Sequence, residues 1–341
     1  MRRLLVALGA LLLLGGITVA IGWSIYRSAV TTPLNPQDEE PRVFLLDPGT
    51  GPSQVAQQLE EQNLIASARW FKLLVRLTGA GPRIKAGEYE LSASMTPEQI
   101  LERIQQGGVI LYSVTIPEGY RISEIAGVLE AAGLCDAEAL TRRALDPQAA
   151  RDFGLQGAPH LEGYLYPDTY RFAKGLPVDK LLEGMIARFR KAWTPEYARR
   201  AGEIGFTMNQ AVTLASIIEK ETGAAHERPI ISSVFHNRLK DDWLLNTDPT
   251  VIYGIKNFNG NLTRQDLKTD HEYNTYTRKG LTPGPIASPG DAALKAALWP
   301  TETGYYFFVS RNDGTHVFNE TIEGHNRDVE KWQRQYFKKK K

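Results

Sequence analysis

The longest unbroken apolar stretch of the chain is its start: from Leu4 to Ile25 no charged residue occurs. Roughly 20 apolar residues rising about 1.5 Å each cross a hydrocarbon core of about 30 Å as a helix, so residues 1–26 are predicted to be a transmembrane anchor. A cleaved signal peptide is the rival reading, with a shorter apolar core of about 7–15 residues and a small-x-small cleavage site. Thr18-Val19-Ala20 matches that site only loosely, and Ile21-Gly22-Trp23 carries the apolar run onward. Arg2 and Arg3 precede the span, whereas Arg27 is followed by Asp38, Glu39 and Glu40. That asymmetry orients a single-pass span with its N-terminus in the cytoplasm and its body outside. Residues 27–41 are proline-rich and acidic and read as an extended linker.

Beyond the linker one pattern occurs twice. Val43–Leu46 reads as a strand, Asp47-Pro48-Gly49 as a turn, and Ser53 opens a helical pattern through Val55, Ala56 and Leu59 that ends near Asn63-Leu64. Seventy positions later Val114-Thr115-Ile116 is the strand, Pro117-Glu118-Gly119 the turn, and Ser123 opens Ile125, Ala126 and Leu129, ending at Gly133-Leu134. The two serines stand where N-caps are favoured, and two copies are too few for a solenoid. Between the copies, Lys85–Leu91 reads as a short strand. Thr96 is an expected N-cap with Pro97 at the first helical position, in a helix through Ile104 that ends at Gly107-Gly108. Residues 42–110 are therefore predicted to be a small α+β subdomain, and 111–341 a larger mixed α+β domain. The fold class expected for the whole is α+β.

In the second domain the sequence turns helical after Asp136 and then breaks at His160–Tyr170, where three tyrosines and two carboxylates fall among Gly and Pro. Aromatic faces of that kind stack on sugar rings and carboxylates accept from hydroxyls; a core-lining turn with buried tyrosines is the structural alternative. Leu181–Trp193 is an amphipathic helix. Thr207-Met208-Asn209 starts another, in which Val212, Ala215 and Ile218 form an apolar stripe. Glu219 lies on the stripe's shoulder, half-buried, and Glu221 is expected to face solvent or to pair with Lys220 or Arg228. A helix over His226–Lys240, a short helical segment at Val251–Tyr253, and a Gly/Pro-rich tract from Tyr273 to Gly290 follow. That tract is expected to be a rigid surface loop carrying binding groups. Asp291 should cap a helix to Leu298. Tyr305–Ser310 and Thr315–Phe318 should form a hairpin around Asn312-Asp313-Gly314, and Ile322–Phe337 a closing helix.

Composition narrows the chemistry. Lys plus Arg number 40 against 39 Asp plus Glu, so no charge excess argues for a nucleic-acid partner, and Lys338–Lys341 reads as a solvated tail. The single cysteine, Cys135, leaves no intrachain disulfide to form. His226-Glu227 begins like a zinc-protease helix, but no second histidine follows at that spacing, and His226 and His236 are ten positions apart. No metal site and no cofactor are expected. Neither a nucleophile-elbow serine nor a phosphate-binding glycine loop is present. A carboxylic acid in an apolar setting remains. Desolvation favours its protonated form, which can give a proton to a glycosidic oxygen. A second carboxylate would come from Glu221, Asp168 or Asp248. With one carboxylate only, the same group first protonates the leaving oxygen and then removes a proton from a hydroxyl of the same sugar.

The motifs LEGYLYPDTY (161–170), ASIIEKET (215–222), VFHNRL (234–239), NTDPTVIYG (246–254), YNTYTRKGLTPGPIASPG (273–290) and YYFFV…GTHVFN (305–319) span nearly the whole chain. On them the chain resembles the MltG or YceG-like endolytic murein transglycosylases. The resemblance implies an inner-membrane protein with a periplasmic body, a LysM-like subdomain within 42–110 and a YceG-like catalytic domain over 111–341. It also implies cleavage inside nascent peptidoglycan glycan strands to leave 1,6-anhydro-N-acetylmuramic acid ends, with peptidoglycan synthases as possible partners. The family's catalytic glutamate falls on Glu219, which selects it over Glu221 and selects the one-carboxylate route. Tyr166, Asp168, Asn237, Arg238, Thr247, Asp248, Tyr273, Asn274 and Tyr276 are expected to position the substrate. One departure stands between VFHNRL and NTDPTV: the family's usual Gly-Met pair and Gln give way to Lys240–Asn246, KDDWLLN, altering the local groove wall. The alternatives are a membrane-tethered peptidoglycan-binding scaffold or a lysozyme-type muramidase.

Overall fold

The computed structural model describes residues 2–107 and 110–335. The chain is mixed α+β and divides into two compact units, Met1–Tyr112 with Arg171–Pro177, and Ser113–Tyr170 with Val178–Lys341.

The first unit begins with helix α1 (Arg2–Thr31), within which Leu11–Thr31 is apolar and long enough to cross a membrane, at a mean hydropathy of 1.4. Its last turns are built into the rest of the unit. Tyr26 and Val30 are buried in the unit's core, Trp23, Tyr26 and Trp70 form a run of ring contacts, and Arg27 pairs with Glu98 at 3.1 Å. The segment expected to be an extended linker is tied down as well. Asn35 N–H donates to Ala93 O, Ser94 N–H to Asp38 O, and Arg42 pairs with Asp38. Strand β1 (Arg42–Leu46) alternates outward and inward and pairs antiparallel with β2 (Gly87–Leu91), placing Phe44 opposite Tyr89. Helices α2 (Pro52–Glu61), α3 (Ala68–Thr78) and α4 (Pro97–Gln106) close the core through Val55, Leu59, Phe71, Val75, Ile100 and Ile104. As the sequence predicts, Thr96 caps α4 and Gly107 ends it, at φ +81°; the cap is also closed as a reciprocal box by Gln99. Ser53 is not a cap: Pro52 already occupies the first helical position and Gly51 precedes it. Gly108 lies outside the described residues.

In the second unit β3 (Tyr112–Thr115) leads to α5 (Ile122–Ala131), α6 (Ala137–Leu145) and α7 (Pro147–Asp152). Ser123 again lies inside its helix, and the Arg121 backbone is capped by Glu124. Past the break at 160–168 come β4 (Thr169–Phe172), α8 (Val178–Ala192), α9 (Pro195–Glu203) and α10 (Met208–Glu221). Thr207 caps α10 in a box with Gln210, but its burial exceeds a stripe: every residue from Ala211 to Ile218 is buried. Helices α11 (Arg228–Lys240) and α12 (Asp248–Gly254) follow, then α13 (Asp291–Leu298), which packs on α10 and buries Ala293, Ala296 and Ala297. The antiparallel hairpin of β5 (Phe307–Ser310) and β6 (His316–Asn319) sets Phe308 against Phe318. Helix α14 (Ile322–Val329) continues as a wider π-type turn to Gln335; Phe337 and the lysine tail fall outside the described residues.

The tract from Tyr273 to Gly290 is a loop at the surface mainly in its middle, where 277–279 are exposed. Asn274, Thr275 and the run 284–290 are buried. Its backbone is satisfied from inside: Ile286 N–H donates to Ser216 Oγ at 3.0 Å, and Pro283 O accepts from Asn209 Nδ2 at 3.2 Å. Gly163 fixes the approach of the 160–168 tract to this loop. Its φ is +83°, and a Cβ there would lie 2.4 Å from Pro285 Cβ and 3.2 Å from Val212. Beside it Glu162, 2% exposed, accepts from Ile122 N–H at the start of α5 and from Tyr253 OH. Burial pushes its carboxyl up to about 7.

Gly163→Ala is expected to destabilise the second unit by about 3 kcal/mol, because strained backbone and a rigid proline ring leave no relief; urea unfolding of the purified chain measures it. Glu162 binds its proton more tightly folded than unfolded. Its contribution to stability is therefore greatest below its ordinary value of 4.5 and is lost as pH rises from there to about 7. The loss is on the order of 3 kcal/mol. Unfolding midpoints should fall between pH 5 and pH 7.5, in about that window, and Glu162→Gln should flatten the slope.

Candidate functional site

Helix α10 ends where its burial ends. Glu219 lies in its last turn, where the unpaired carbonyls of a helix C-terminus disfavour an anion. Two groups from other elements offset this. Arg228, the first residue of α11, places Nη2 3.0 Å from Glu219 Oε1, and Gly290, the N-cap of α13, donates its N–H to Oε2 at 3.0 Å. The Glu219 side chain is only 6% exposed, more enclosed than the half-buried position its periodicity predicts. The surroundings also differ in kind from the expected apolar pocket: the carboxylate is held by a cation and a backbone donor. Arg228 keeps its buried Nε without an acceptor among the described residues.

The turn before α5 forms the other wall. Gly119 takes φ +76°, its N–H donates to Ser288 O at 2.8 Å, and Ser288 N–H donates to Tyr120 O at 2.8 Å. Lys220 Nζ donates to Gly119 O at 3.1 Å, and a Cβ on Gly119 would stand 3.6 Å from Glu219 Cγ. The Pro117-Glu118-Gly119 turn, assigned no chemistry by sequence reasoning, is therefore laid directly beside Glu219. Its one sequence signal is a carboxylate next to a glycine in a turn.

Glu221 neither faces solvent nor pairs with Lys220 or Arg228. It accepts from Thr247 Oγ1, and burial, the largest cause, pushes its carboxyl up to about 7 with Asp248 adding to it and Arg238 opposing. Glu221, Arg238, Asp248 and Tyr276 line a cavity of about 420 Å³. There Tyr276 OH donates to Asp248 at 2.6 Å, and Arg238 donates to the carbonyls of Tyr306 and Leu245. Thr247 is buried. Asn237 Nδ2 donates to Thr303 O and Tyr305 O, and the fully buried Asn274 donates to Leu267 O and Thr269 O. These side chains hold loop backbones in place. Tyr273 lies apart from them, in a cavity of about 510 Å³ with Arg121, His160, Tyr253 and His271. Tyr166 is 5% exposed with the Arg188 guanidinium 4.7 Å over its ring, and Arg188 also pairs with Asp168; the Thr169 N–H first, and then Arg188, hold the Asp168 carboxyl below its usual range. In the departing segment Trp243 is 45% exposed and packs on Tyr306 at 5.0 Å and on Phe307.

Among known proteins, the chain is 29% identical over 326 residues to the endolytic murein transglycosylase of Bacillus subtilis (strain 168), covering 91% of this chain and 90% of that one. It is 28% identical over 314 residues to the protein of the same name from Streptococcus pneumoniae serotype 2 (strain D39 / NCTC 7466), covering 82% of this chain and 56% of the longer relative. A 2.6 Å crystal structure of a YceG-like protein from Listeria monocytogenes superposes with a TM-score of 0.58 at 32% identity, over 85% of this chain and 99% of that one. The model of the YceG-like family matches residues 44–331, a span that includes α10, Glu219 and every loop described around them, and the chain belongs to that family.

Proposed function

We propose that this protein is a membrane-anchored endolytic murein transglycosylase, a lyase that cleaves within peptidoglycan strands, with Glu219 as the group that moves the proton. The observation that carries the reading is the hold on Glu219: an enclosed carboxylate gripped by Arg228 and the Gly290 N–H, in a family whose curated relatives bear that name. The protonated Glu219 gives its proton to the bridging oxygen between N-acetylmuramic acid and N-acetylglucosamine as the C1–O bond breaks. Its carboxylate, received by Arg228 and the Gly290 N–H, then takes the proton of the same sugar's C6 hydroxyl as O6 closes on C1. No water enters, and an internal nucleophile gains the effective molarity of an intramolecular reaction.

In this reading residues 1–26 anchor the chain in the inner membrane with the body in the periplasm. Residues 42–110 form a LysM-like subdomain that grips glycan, and 111–341 cleave the strand, ending its elongation beside a peptidoglycan synthase. Asp248 and Tyr276 in one cavity, Tyr273 in the other, and the Tyr166–Asp168 wall contact the strand. Asn237, Arg238, Thr247 and Asn274 act through the loops whose backbones they hold.

Glu219→Gln should lower release of anhydro-ended fragments from uncrosslinked peptidoglycan by at least about 100-fold, the scale of lost general acid–base catalysis, with the unfolding midpoint kept. Mass spectrometry of the products separates the alternatives. Reducing ends one water heavier mean a hydrolase, and peptidoglycan binding with no soluble product means a scaffold.

A further inference from the structure

Glu118 has no part in the mechanism above, yet the fold makes room for it. Gly290 has φ −79° and ψ 174°, a backbone any residue adopts, so nothing in its conformation calls for glycine. A Cβ there would lie 1.9 Å from Glu118 Oε1 and 2.1 Å from its Cδ, so any side chain at this position would make the Glu118 carboxylate swing aside. The Glu118 carboxylate thus rests against the residue whose N–H holds Glu219. The turn that carries it is fastened on both sides, by the Gly119–Ser288 and Ser288–Tyr120 backbone bonds and by Lys220 on Gly119 O. Glu118 is exposed, and its carboxylate forms no hydrogen bond among the described residues.

We propose that Glu118 is a positioning charge for the reaction, forming with Glu219 a carboxylate pair that holds one proton against the pull of Arg228. This deepens the transglycosylase reading and rests on it. Arg228 and the Gly290 N–H suit Glu219 as a base, but the first step needs it as an acid. Two neighbouring carboxylates cannot both ionise freely, so the pair keeps a proton to higher pH than one carboxylate beside an arginine would. The charged groups facing Glu118 are Glu219, Arg228 and Asp291, with Lys220 on the adjoining carbonyl and the Tyr166 hydroxyl nearby. Desolvation by its surroundings raises the Glu118 carboxyl, Glu219 and Asp291 raise it further, and Arg228 opposes.

The test is the pH profile of anhydro-end release by the full-length chain, wild type against Glu118→Gln. The alkaline limb should move to lower pH by about one unit, so that kcat falls about tenfold at alkaline pH and returns to near wild type at acid pH, with KM unchanged. Gly290→Ala, which displaces the Glu118 carboxylate while keeping the N–H to Glu219, should shift the limb the same way. Adding it to Glu118→Gln should shift the limb no further. A superimposed profile, or a loss equal at every pH, overturns the pair and leaves the transglycosylase reading intact. A wild type that releases no anhydro ends overturns both.

Discussion

The arrangement around Glu219 follows from one electrostatic constraint: an enclosed carboxylate at the C-terminal end of its own helix must be supplied with positive charge from elsewhere. The chain meets it by bringing two helix starts to that point. Arg228 opens α11 and Gly290 caps α13, so the guanidinium, the N–H and the favourable end of the α13 dipole converge on one side chain. The packing of α13 on α10 serves this end, because it holds Gly290 at a 3.0 Å bond from Glu219.

A buried loop is the second requirement. The 273–290 tract must pass beneath the surface to deliver Gly290, and each buried backbone group on it needs a partner. Ser216, in the middle of α10, supplies one: its Oγ accepts from Ile286 N–H while donating to Thr213 O. A serine that periodicity places inside an apolar helix is thus part of the loop's support. Proline and glycine set the path, and the close approach of Gly163 to Pro285 ties that path to the 160–168 tract.

Local chemistry was legible where it is self-contained. Thr96 caps the helix the sequence opens with it, and Thr207 caps the one it starts, because a cap and the first turn belong to one segment. The strands of the two antiparallel pairs were legible within a residue or two. The repeated serines misled because Pro52 and the Glu124 carboxylate satisfy those helix starts in other ways. Helices α3 and α9 went unread, although Ser67 precedes the first and Thr194 caps the second. Within the site, motif resemblance singled out Glu219, but its partners lie 9 and 71 positions away and Glu118 lies 101 before it. Such distances carry no pattern in a single chain.

Glu219 and Glu221 show why periodicity alone left the choice of acid open. Two residues on an α-helix are turned by roughly 200°, so the two carboxylates leave α10 on nearly opposite sides. One meets Arg228 and the Gly290 N–H; the other meets Thr247, with Asp248 nearby. Asp248 opposes ionisation of Glu221, burial does so more strongly, and the Arg238 guanidinium is already engaged by the carbonyls of Leu245 and Tyr306. The same sequence, Glu-Lys-Glu, thus gives one carboxylate whose anion is received by a cation and a backbone donor, and one biased toward its neutral form. Of the two, the first meets a cation and a backbone donor together, the groups that receive the anion left once a proton is given away.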